Sequence, residues 1–184
     1  MKTLTPEQCD LLLGEFPDSF VGRRDQLAFT LMLRLALRVS EAASIRVCDV
    51  RDDGTVIVKR LKRRKQVFTE FPLSGELAER VLSWCDELPD GSVYLFPTRS
   101  GKPVCRSQFY RSLVAAGDAC GITVHPHVFR HTGVTQMLQV RDDAGLPVFD
   151  VHEVQHLAGH ANLATTSLYA HVNSERLKRK ARFL

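Results

Sequence analysis

The chain has no apolar run near the ~18 residues that a membrane-crossing helix requires, so no span is predicted. Its first stretch, MKTLTPEQCDLLLGEF, mixes acids into the apolar positions, which argues against a secretory leader. No two cysteines form a C-x-x-C pair. The five lie scattered at positions 9, 48, 85, 105 and 120, and an odd, dispersed set reads as reduced thiols in a cytoplasmic protein, not a disulfide frame. Internal repeats, low-complexity tracts and long linkers are also lacking, which leaves one domain over residues 1–184 as the expectation.

What is there suits a folded domain. A chain of 184 residues can bury roughly 70% of its unfolded surface. Hydrophobic residues make up 44% and charged residues 25%, an ordinary balance for a water-soluble fold. The net charge of +4 is modest, but its placement is uneven. KRLKRRK, from Lys59 to Lys65, holds six cations in seven residues, and ERLKRKARFL closes the chain with five more. Two such blocks point to a polyanionic partner.

The elements are mostly helical. LTPEQCDLLLGEF opens a helix with Thr5 as N-cap, Pro6 in the first position and Gln8 at capping-box spacing. RRDQLAFTLMLRLAL has the apolar spacing of a largely buried helix. SEAASIRV predicts a short helix capped by Ser40. TVIVKRLK and KQVFTEFPL are β-branched and aromatic runs that predict a hairpin with the basic residues at its tip. Further helices are expected over GELAERVLSWCDEL, over RSQFYRSLVAAGDAC with a stop at Gly121, over HVFRHTGVTQMLQV after Pro126, over VFDVHEVQHLAG to Gly159, and over NLATTSLYAHV. The fold class expected is mainly α with a small antiparallel β-sheet (α+β).

His152-Glu153-x-x-His156 has the spacing of a zinc-hydrolase helix. Such a site needs a third protein ligand. In the longer form of the motif Gly159 falls in place, but Asn162 stands where the last histidine belongs. The competing reading puts His152 and His156 on the wet side of a helix whose Val151, Val154, Leu157 and Ala158 face the core. Zinc hydrolysis is therefore the minor reading, and no metal or other cofactor is expected.

The remaining polar residues fit chemistry on a phosphodiester. Arginine meets phosphate oxygens with a planar, permanently charged fork. A histidine donates to the same oxygens or handles a proton, a lysine protonates the leaving oxygen, and a tyrosine phenol attacks to form a covalent intermediate. Arg38 lies in LALRVSEAASIRVCDV and Lys62 on the hairpin. His127 and Arg130 share a helix face three residues apart, and His160 and Tyr169 follow.

In LRVSE, the hairpin lysines, HVFRH, AGH and TTSLYAHV the chain resembles the catalytic domain of the tyrosine recombinase, or phage integrase, family. The motifs run from Leu37 to Val172 in the family's order. The resemblance implies Arg38, Lys62, His127, Arg130 and His160 as the activating set and Tyr169 as nucleophile. Lys62 fits the spacing from Arg38 best, with Lys59 and Lys65 as rivals. Lys59, Arg60, Arg63, Arg64 and Lys65 are expected to contact DNA. The implied activity is site-specific strand cleavage and rejoining through a 3′-phosphotyrosyl intermediate, without metal or ATP. The rival from another class is a DNA-binding module of the same fold that acts by occupancy.

The chain departs from the family pattern in a few places. Phe129 and Ala158 replace leucines, Ala36 stands where glycine is frequent, the hairpin tip lacks glycine, and VRDDAGLPVFD lengthens the interval between Arg130 and His160. Family members usually carry a separate N-terminal helical domain, and none is expected within these residues. The resemblance also implies double-stranded DNA as partner and a homotetramer on paired sites, with a monomer in the absence of DNA. Residues 174–184 would be a tail for docking on a neighbouring subunit, and the location would be cytoplasmic, at a bacterial or phage nucleoid.

Overall fold

The structure is a computed structural model that describes residues 3–159 apart from 63, 64 and 74, together with all side chains in that range except those of Leu61, Lys62, Lys65, Gln66 and His156. His160, Tyr169, the helix expected over NLATTSLYAHV and the basic tail lie outside the described residues. The order is α1 (Pro6–Gly14), α2 (Phe20–Arg34), α3 (Val39–Ala43), a single 3-10 turn (Val47–Asp49), β1 (Val56–Lys62), β2 (Lys65–Phe71), α4 (Gly75–Glu87), α5 (Arg106–Ala119), α6 (Pro126–Gln139) and α7 (Val151–Ala158). This is the mainly helical α+β arrangement that the sequence predicts.

Helix α2 is the centre of the molecule. Ala28, Phe29, Leu31 and Met32 are fully buried on it, which the apolar pattern of DQLAFTLMLRL requires. Phe29 gathers the other elements: its ring lies 5.4 Å from Phe16, 5.5 Å from Phe109 of α5 and 5.9 Å from Phe129 of α6. Each such buried ring contributes about 1.5–3 kcal/mol. Helix α1 is capped as expected, with Thr5 Oγ1 accepting from Gln8 N and Gln8 Oε1 accepting from Thr5 N. The Leu4 N–H donates to Thr132 Oγ1 at 3.0 Å, which ties the start of the described chain to α6.

Helix α6 approaches α2 closely. A Cβ on Gly133 would overlap the carbonyl oxygen of Leu33, so only glycine fits there without moving a backbone. A second, smaller core links α7 to this pair, with Val154 and Ala158 fully buried against Ala36, Val134 and Met137. Val151 and Leu157, also expected inside, are half-buried.

Two expectations need correction. The central helix stops at Arg34, short of Leu37, because the chain turns left-handed at Ala36 (φ 50°). The Leu37 N–H then donates to Met32 O at 3.1 Å, closing the helix by a Schellman turn. The next helix is capped at Arg38, not Ser40: the Glu41 carboxylate reaches back and accepts from the Arg38 N–H at 2.8 Å.

Strands β1 and β2 pair antiparallel from Val56↔Phe71 to Lys62↔Lys65. Val56 and Val58 point inward and Lys59 outward, the period-2 alternation of a half-buried strand. Among the described residues, no helix is long and apolar enough to cross a membrane.

Candidate active site

The left-handed turn at Ala36 and the capped start of α3 bring three distant parts of the chain to one carboxylate. Glu41 is buried, with 5% exposure. Arg38 Nη1 meets its Oε1 at 2.7 Å, Arg60 Nη1 lies 3.6 Å from Oε2, and Arg130 Nη1 lies 3.7 Å from Oε2. Three guanidiniums against one carboxylate leave the cluster cationic. Arg38 and Arg130, expected from sequence to act together, meet at this one carboxylate. Arg38 is the open member, its side chain 42% exposed, while that of Arg130 is 7% exposed.

The same three arginines hold the end of α7. The last carbonyls of a helix have no partner within it, and here three consecutive ones are met from outside. Arg60 Nη2 donates to Leu157 O, Arg130 Nη2 to Ala158 O at 2.6 Å, and Arg38 Nη2 to Gly159 O at 3.4 Å. Cations at a helix C-terminus also suit the helix dipole. Arg130 Nη1 donates in addition to Ala36 O, the carbonyl that the left-handed turn presents. Gly159 (φ 66°) ends α7, and a Cβ there would collide with the Arg60 guanidinium. The arginine cluster is thus built into the wall from which the chain proceeds to His160.

Burial pushes the Arg130 guanidinium down to about 10, with the charge of Arg38 adding to the effect, Glu41 opposing it and Arg60 lowering it further. Arg130 therefore keeps its charge near neutral pH, in a setting where an incoming anion would relieve the excess. Burial also lowers the pKa of Arg60; Glu41 opposes and Arg38 reinforces the shift.

The other expected residues are less concentrated. His127 sits on α6 but is exposed, and its Nε2 lies 3.1 Å from Nε2 of His131. His131 is held below the usual histidine range, first by burial and then by the charges of His127 and Arg130. Lys59 is exposed on β1. The backbones of Lys62 and Lys65 face each other at the end of the hairpin, and their side chains, with Arg63 and Arg64, lie outside the described residues.

Arg60 is the correction. Expected among the cations facing DNA, it is 3% exposed and turned into the cluster, with its Cζ 5.3 Å above the Phe71 ring. The reason is strand parity: Arg60 continues the inward series Val56, Val58, whereas Lys59 falls on the outer face. The zinc-like motif also has a local use. Glu153 Oε2 accepts from Asp150 N at 2.6 Å and Asp150 Oδ1 accepts from Glu153 N at 2.8 Å, a reciprocal cap at the start of α7. Sequence reading missed Glu41 as the common partner of the arginines; its signal was the capping-box spacing Arg38-x-x-Glu41.

Comparison with known proteins agrees with this architecture. The chain is 32% identical over 190 residues to tyrosine recombinase XerA of Thermococcus onnurineus, covering 100% of this chain and 64% of that protein. The chain therefore spans less than two thirds of that curated relative. The crystal structure of XerH site-specific recombinase bound to difH substrate superposes with a TM-score of 0.73 at 21% identity, covering 98% of this chain and 54% of the other. The catalytic domain of bacteriophage HP1 integrase gives a TM-score of 0.67 at 21% identity, covering 100% of this chain and 95% of that domain. These likenesses show the fold to be that of tyrosine recombinase catalytic domains. The model of the phage integrase family matches residues 2–176. By that match, over nearly all its length, the chain belongs to the phage integrase family.

Proposed function

We propose that the chain is the catalytic domain of a site-specific DNA recombinase that cuts and rejoins strands through Tyr169. The observation that carries this reading is the convergence of Arg38 and Arg130 on Glu41, at the end of the helix that leads to His160. In the reaction so read, the two guanidiniums neutralise the non-bridging oxygens of one backbone phosphate, assisted by His127 and His160. The Tyr169 oxygen bonds to phosphorus as the bond to the 5′ oxygen breaks, and Lys62 gives that oxygen its proton. A 5′-hydroxyl of the partner strand then attacks the phosphotyrosine and releases the phenol. The bond energy is conserved in the ester, so the chemistry needs no nucleotide cofactor. Double-stranded DNA would be the substrate, held by Lys59 and the other cations of the hairpin tip. Four copies on two paired sites would exchange strands, with residues 174–184 docking between copies, in the cytoplasm at the nucleoid.

The test is covalent capture. The protein is incubated in EDTA with a pool of nicked duplexes of randomised sequence, and protein–DNA adducts are isolated under denaturing conditions. The adduct should form with wild type and vanish in Tyr169→Phe. Replacing Arg38 or Arg130 with Gln should slow its formation by about 10²–10³, the usual effect of removing one preorganised donor. Duplex binding without any adduct would instead mark a module that acts by occupancy. Dependence of the adduct on metal would count against the mechanism.

A further inference from the structure

Arg60 is a buried cation that the reaction above does not use. Its side chain is 4% exposed. Among the described residues its Nε and Nη1 have no hydrogen-bond partner, and the carboxylate it faces, Glu41, is shared with two other arginines. Burying a charge with unmet donors opposes folding, and an apolar side chain of similar size is often as stable or more so. Fold stability is thus a poor reason for an arginine at this position.

What Arg60 does hold is the end of α7. Its Nη2 binds Leu157 O, and its guanidinium fills the space beside Gly159 that a side chain there would take. Of these three arginines it is the one that comes from the hairpin, and it stands two residues before Lys62 on β1. The hairpin therefore grips the last turn of α7 through this side chain. We propose that Arg60 is a positioning residue, a latch that fixes the C-terminal turn of α7 against β1 and so sets the relative placement of Lys62 and of the chain that continues into His160. The claim rests on the recombinase reading only where it concerns activity; the latch itself is a statement about α7.

The experiment compares wild type with Arg60→Met and Arg60→Lys in the full chain by three measurements. Amide hydrogen exchange over residues 151–158 reads the latch directly, with or without DNA. In Arg60→Met it should speed up by about tenfold while exchange in α2 is unchanged. Adduct formation on a duplex enriched in the selection above should slow by up to about 10²-fold, the size expected when reacting groups lose their placement. Duplex affinity and its salt dependence should stay as in wild type, because a latch makes no phosphate contact. Arg60→Lys, which keeps the charge and a single donating nitrogen in place of the guanidinium fork, should lie between the two in exchange and in rate. The proposal is overturned if exchange in α7 does not change, if the rate of adduct formation does not change, or if the salt slope falls by about one, which would make Arg60 a phosphate contact. Should Arg60→Met not fold, Arg60→Lys carries the same three readouts. If wild type forms no adduct on any duplex the recombinase reading fails, and the exchange measurement still decides on the latch.

Discussion

Ala36 occupies a backbone position made for glycine, and opposing terms decide what a substitution does there. Its left-handed conformation (φ 50°) costs an L-residue about 1–2 kcal/mol. Against that, the Ala36 methyl is fully buried, worth about 0.8 kcal/mol, and glycine would loosen the unfolded chain by about 0.4–1 kcal/mol. The terms nearly cancel. Ala36→Gly should leave the unfolding free energy from urea titration within about 0.5 kcal/mol of wild type, where an ordinary buried alanine would lose more. Ala36→Val should cost at least about 2 kcal/mol, because a β-branched side chain resists this φ and two further methyl-sized groups must fit a closed core. A large loss in the glycine variant would show that the methyl matters more than the strain. The residue was visible in the sequence as a departure from a glycine-containing pattern, yet its use was not. That use is to end α2 and aim the Ala36 carbonyl at Arg130, a backbone property that residue identity alone does not reveal.

At the scale of elements, helices and strands were legible because their signals are periodic and local. The capping box of α1, the buried face of α2 and the hairpin all follow from spacing. Ends were less legible: Ser40 looked like a cap by residue type, but the Glu41 carboxylate had the better geometry at Arg38. Arg60 was misplaced for a different reason. Six cations in seven residues read as one solvated block, although the strand period already put Arg60 on the side of Val56 and Val58. Contacts between elements were not legible, and the approach of α6 to α2 is the main case. With Gly133→Ala the new Cβ meets the Leu33 backbone, which cannot rotate away as a side chain would. Overpacking of this kind costs about 1–3 kcal/mol, and the upper part of that range is expected here. The displacement would also run along α2 to Ala36 and Arg38, so adduct formation should fall beyond what the lost stability explains. Chemical denaturation and the adduct assay, measured together, check both parts. An adduct rate that merely tracks the folded fraction would show that α2 transmits nothing to the site.

For the whole molecule, the distribution of charge separates groups that bind DNA from groups that organise the site. The basic block of the hairpin is not uniform: Lys59 is exposed on one face of β1 and Arg60 is enclosed on the other. Each surface cation that neutralises a phosphate releases counterions, and the slope of log affinity against log salt changes by about 0.9 per contact on B-DNA. If the outer face of the hairpin lies along the DNA backbone, Lys59→Gln should weaken binding to any duplex and make that slope shallower by about 0.9. Arg60→Met should leave it unchanged. Fluorescence anisotropy with a labelled random duplex, titrated at several salt concentrations, measures both. The prediction is specific to the inward turn of Arg60, since a hairpin acting as one undivided cationic patch would give the two variants equal slopes. Slopes made equally shallow by the two variants would therefore mean that in the DNA complex β1 turns Arg60 outward, which requires the strand to release Leu157 and Glu41 first.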